Sequence, residues 1–153
     1  MPSPKKAHAK PSQPPADAEQ LLGVVRSLPP LVPDAEYTGV FSRAERGRVE
    51  RRERWFIWLA ISMPGPHLKK ELYLSCPCPE RGGPFGLSSK LVKAVTIATG
   101  ALPERRDRIT TKVFKGKLFR FQTRTVKHDK DEVLRPKSEH YSVIDKLLSV
   151  ETQ

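Results

Sequence analysis

A small, mainly β, antiparallel barrel carrying one helix after its third strand is the fold class that this 153-residue sequence predicts. Three observations lead there. Apolar and aromatic residues recur with strand periodicity in several short segments, and only one segment of the core region has clear helical spacing. Eight of the fifteen prolines lie in the first 33 residues, where they oppose regular structure and leave one core-sized stretch behind them. At roughly 100 to 200 residues per domain, that stretch holds a single core.

Residues 1–16 carry Lys5, Lys6 and Lys10, five prolines, no acid and no aromatic ring, the composition of a disordered basic tail. Asp17, Ala18, Leu21, Leu22 and Val25 have the spacing of a short N-capped helix that Pro29 and Pro30 end. Tail and helix make up 1–33, and one folded domain spans 34–150. Tyr37–Ser42 alternates like a strand, and Trp55–Ser62 has the apolar, β-branched and aromatic content of a strand buried on both faces. Between these neighbours, six arginines and three glutamates over Arg43–Arg54 form a long charged hairpin with Gly47 as its turn. Leu68–Cys76 is the third strand, entered from Pro64-Gly65-Pro66 and stopped by Pro77 and Pro79. The helix has Ser88 as cap, Leu91, Val92, Val95 and Ala98 on its apolar face, and Gly100 and Pro103 as its stop. Leu118–Val126 places Phe119 and Phe121 inward and Arg120 and Arg124 outward. Tyr141–Val150 fits either a helix or a closing strand, the strand being preferred. With no crossover helices in sight the strands should form a curved meander, and closure would remove its exposed edges.

Lysine and arginine number 28 against 17 acids, a net charge of +11, so polyanions are the first partners to consider. Glu104–Lys130 holds ten cations and three acids, +7 of that total. There Arg105, Arg106, Arg108, Lys112, Lys115 and Lys117 would attract phosphates, and Arg120 and Arg124 would line a groove. Base stacking needs exposed rings beside them. Trp55, Phe56, Trp58, Tyr73, Phe114, Phe119 and Phe121 are candidates, with a core role competing for each; Trp55, Trp58 and Tyr73 are preferred, and strand parity sends Trp55 and Trp58 to opposite faces.

The pieces Pro33-Asp34-Ala35-Glu36-Tyr37 before strand one, Trp55-Phe56-Ile57-Trp58, the helix Ser88–Thr99 ending at Gly100, and Phe114-Lys115-Gly116-Lys117-Leu118-Phe119 give the chain a recognisable layout. In that layout, Pro33 to Val150 resembles small phage and mobile-element single-stranded DNA-binding proteins built on an oligonucleotide/oligosaccharide-binding (OB) barrel. The resemblance implies a non-catalytic protein that coats exposed single strands during replication or recombination. The acidic C-terminal tail through which many such proteins recruit partners has no counterpart in Glu151-Thr152-Gln153, and the basic N-terminal tail is an addition.

Other chemistries fit less well. Cys76 and Cys78, with His67 or His140, would give a zinc site only one close cysteine pair, spaced too tightly. No flanking signature supports a catalytic cysteine. Gly82-Gly83-Pro84-Phe85-Gly86 precedes a helix but lacks the lysine–threonine pair of a phosphate loop. Glu50 and Glu53 sit among arginines, as surface ion pairs would, rather than as the acids of a nuclease. The longest apolar run, Trp55–Met63, is far short of the roughly 20 residues that span a bilayer, and no signal-type stretch opens the chain. The expectation is a cytoplasmic protein, not an enzyme, without cofactor or metal, that binds single-stranded DNA. The rival is a basic adaptor or inhibitor that binds an acidic protein; homo-oligomerisation is left open.

Overall fold

The computed structural model describes residues 20–22, 28–104 and 108–152. The basic tail, most of the proposed Asp17–Val25 helix, and Arg105 and Arg106 lie outside the described residues. The order is β1 (Glu36–Val49), β2 (Arg52–Ile61), β3 (Glu71–Pro77), α1 (Lys90–Thr99), β4 (Leu118–Val126) and β5 (Tyr141–Thr152), with short 3-10 turns at Thr111–Val113 and Lys137–Glu139. Pairing runs β1–β2–β3–β5–β4 and returns to β1, closing the sheet into a barrel.

Alternation fills the interior. Tyr37, Ile57, Leu59, Ile61, Leu72, Leu74, Cys76, Phe119, Phe121, Ile144 and Leu147 make one buried cluster, which α1 joins through Leu91, Ala94, Val95 and Ala98. Gly39 is required where β1 passes closest to that interior: a Cβ there would sit 2.6 Å from the Ala60 carbonyl oxygen and 2.9 Å from the Phe121 ring.

Several expectations are corrected. The sheet is not a pure meander, because β3 and β5 pair in parallel at Leu74 and Ile144; the long β3–β5 connection, with α1 and β4 inside it, supplies the crossover. The C-terminal segment is the strand that the sequence favoured over a helix. The charged hairpin turns at Glu50 and Arg51, both at positive φ (52° and 69°), and not at Gly47. Gly47 lies within β1, where its missing side chain makes room for the Phe56 ring, 2.9 Å from a notional Cβ. The helix is capped by Ser89, whose Oγ accepts from Val92 N–H, and not by Ser88; Gly100 closes it as expected. β2 is buried mainly on one face, with Ile57, Leu59 and Ile61 inward. The packed structure also reaches back past residue 34. Val32 is 2% exposed, its N–H donates to Ser142 Oγ at 2.8 Å, the Ser142 hydroxyl donates to Val32 O, and Ser142 N–H donates to Pro30 O.

Candidate functional site

The outer face of β2 and β3 is built from the residues that alternate with the core. Arg54, Phe56 and Trp58 on β2 stand beside Tyr73 and Ser75 on β3, through the pairs Phe56–Ser75 and Trp58–Tyr73. Tyr73 is the hub: its ring meets Trp58 edge-on at 5.1 Å and Phe56 edge-on at 5.0 Å, favourable geometry for aromatic pairs. Trp58 and Tyr73 are half-buried, and Phe56 is buried. The Trp58 indole N–H is withdrawn from solvent and has no acceptor among the described residues.

β1 supplies the cations. After a bulge between Phe41 and Arg43, Arg43 lies opposite Trp58 and stacks its guanidinium 4.3 Å from the ring centre. Two carboxylates hold it there, Glu45 at 2.6 Å and Glu71 at 2.5 Å, and Glu71 also accepts from Ser42 at 2.6 Å. The Ser42 hydroxyl and the Arg43 guanidinium together hold the Glu71 carboxyl below the ordinary glutamate range. At the other end Arg54 donates to Ser75 Oγ at 3.0 Å. Beyond the barrel the hairpin continues with Arg46 paired to Glu53, Arg48 to Glu53 at 3.7 Å and Arg52 to Glu80 at 3.1 Å. Between its tip and the Cys78–Gly82 loop lies an open cleft of about 550 Å³ that Arg48, Arg51 and Arg52 border. These pairs are exposed, so each contributes little to stability and can be exchanged for a phosphate.

The residues singled out in the sequence divide into groups. Trp58 and Tyr73 come together. Trp55 does not join them: it pairs with the buried Cys76, packs against the core, and has Arg46 5.9 Å from its ring, because odd positions of β2 face inward. Lys112 and Lys115 are exposed on the loop before β4, which the Phe41–Phe114 ring stack, 5.7 Å between centres, fixes against the middle of β1; Arg108 is exposed on the same connection. Lys117 turns away and donates to Ala98 O at the end of α1 (2.6 Å). Arg120 and Arg124 are exposed on β4, paired with Glu36 at 3.1 Å and Asp145 at 3.4 Å, and neither borders the aromatic rings. Sequence reasoning did not single out Arg43, Arg54 or Ser75 for this face, although the even-numbered alternation Arg54, Phe56, Trp58 carried that signal.

The cysteines and histidines do not converge. Cys76 is fully buried, and burial pushes its thiol up to about 12. His67 lies edge-on to Tyr37 and bonds Lys70 at 3.0 Å, whereas His140 Nε2 bonds Arg135 O at 2.8 Å. Among the described residues no group of three potential metal ligands occurs, and no helix is long and apolar enough to cross a membrane. No family model matches the chain, and no curated protein matches it.

Proposed function

We propose that this chain is an OB-type barrel that binds single-stranded nucleic acid, DNA in the first instance, across the outer face of β2 and β3. Strand order β1-β2-β3-β5-β4 with the helix between β3 and β4 supports the fold reading. One observation carries the functional reading: the Trp58–Tyr73 ring pair lies between the cations Arg43 and Arg54 on an outer strand face. Rings take bases without regard to sequence, and guanidiniums track the phosphates between them. Arg43 stacks on Trp58 in the place a base would take, so a bound strand would exchange or sandwich that guanidinium. Lys112 and Lys115 extend the positive surface beside β1, and the role proposed for this face is non-catalytic strand protection.

Quenching of tryptophan emission by unlabelled oligonucleotides tests this reading. Stacking on Trp58 predicts saturable quenching that Trp58→Leu removes and Trp55→Leu preserves. Absence of quenching, with the protein instead capturing an acidic polypeptide, favours the adaptor role.

A further inference from the structure

Lys90 is a half-buried cation that the β2–β3 face does not use. Lys90 opens α1, which packs against β3 and β5. Those two strands meet in parallel at Leu74 and Ile144, so the next residues, Ser75 and Asp145, stand on either side of the same seam. Arg54 reaches Ser75 from β2 (3.0 Å) and Arg124 reaches Asp145 from β4 (3.4 Å). The side chains of four strands thus form a row, Arg54, Ser75, Asp145, Arg124. Lys90 feels both arginines and Asp145, and among the described residues it has no carboxylate within ion-pair distance. Burial lowers the pKa of its ammonium, so the folded chain holds this charge at a cost in stability. Three cations against one acid leave two positive charges uncompensated. A phosphodiester would neutralise one of them; a phosphate monoester, with about −1.5 to −2 at neutral pH, neutralises both.

We propose that Arg54, Lys90 and Arg124, with the Ser75 hydroxyl, form a binding site for a phosphate monoester dianion, the terminal phosphate of a bound strand. In its strand-terminus form the proposal rests on the function proposed above. Ser75 lies two residues along the same face from Tyr73, so a strand stacked on Trp58 and Tyr73 ends at this row and the protein senses where a strand stops.

The test compares single-stranded oligonucleotides carrying a 5′-phosphate, a 3′-phosphate or neither, and separately titrates inorganic phosphate while following the Lys90 side-chain NMR resonance. One phosphorylated end should bind roughly tenfold or more tighter than the hydroxyl end, the size of a charge-assisted contact. Lys90→Met should abolish that preference while melting at the same or a higher temperature, which separates loss of the site from loss of the fold. Trp58→Leu should weaken all three oligonucleotides and retain the preference. If no oligonucleotide binds but inorganic phosphate shifts the Lys90 resonance in a saturable way, the nucleic-acid reading falls and the anion site stands for a small monoester. Equal affinity for all three ends with no response to phosphate, or a preference that survives in Lys90→Met, overturns the site.

Discussion

The Arg43 guanidinium lies 4.3 Å from the centre of the Trp58 ring, the two residues facing each other across β1 and β2. A β-bulge creates that relationship. With the same residues in unbulged pairing, Arg43 would fall opposite Ile57, follow the inward alternation of Tyr37, Gly39 and Phe41 and meet the core. Past the bulge β1 continues as a hairpin arm paired with β2 alone, beyond its Glu36–Val40 pairing with β4.

Replacement of Trp58 by leucine should therefore weaken binding of single-stranded DNA by about 1–3 kcal/mol, the worth of one base on one ring. Trp55→Leu should leave that affinity unchanged and should instead lower stability, because Trp55 packs on the core. Titration of both variants, each with a urea melt, checks the separation.

The Glu71 carboxyl is stabilised in its charged form by Ser42 and then by Arg43. Its folded pKa lies below the unfolded value, so its contribution to stability is present above the ordinary glutamate range and is lost as pH falls through the folded value. The stability difference between the native chain and Glu71→Gln should accordingly shrink on acidification. Chemical denaturation at a series of pH values measures it; a difference that stays constant with pH would remove Glu71 from the clamp on Arg43.

At Gly39 the opposing atom nearest a new methyl group is a backbone oxygen, which cannot move aside as a side chain can. Gly39→Ala should destabilise the barrel by about 1–3 kcal/mol through overpacking. Its urea midpoint should fall with little change in the slope.

Thiol chemistry should distinguish the two sides of β3. Cys76 is inside with its thiol pushed up to about 12, and Cys78 is half-buried past the strand end. A thiol reagent at mildly alkaline pH should modify Cys78 alone in the folded protein and both residues after unfolding, as peptide mass mapping would show.

Much of the barrel was legible because its signals are local. Phe119 and Phe121 alternate with Arg120 and Arg124, and the chain buries the first pair and exposes the second. Ala98, Gly100 and Pro103 mark the end of the helix in the sequence as they do in the fold. What was not legible depends on contacts far apart in the chain. Glu50 and Arg51 make the hairpin turn at positive φ although neither is a usual turn residue there, and the glycine three residues earlier serves the Phe56 ring. Parity separated Trp55 from Trp58, but which of them faces outward is set by the closure of the barrel. The densest cationic stretch drew attention to Arg120 and Arg124, whereas ion pairs occupy them on β4 and the rings lie two strands away. Arg54, Lys90 and Arg124 are remote in sequence and meet only through the parallel β3–β5 seam.

The most direct measurement is fluorescence anisotropy of labelled single-stranded and duplex oligonucleotides across a salt series, for the native chain and for the double substitution Trp58→Leu/Tyr73→Leu. Strand binding across the β2–β3 face predicts preference for the single strand. It also predicts a log–log salt slope equivalent to roughly four to six phosphates at about 0.7 each, and loss of the preference in the double variant, with its salt slope retained. Equal affinity for the two oligonucleotide forms, or a single-strand preference untouched by the double substitution, would contradict it.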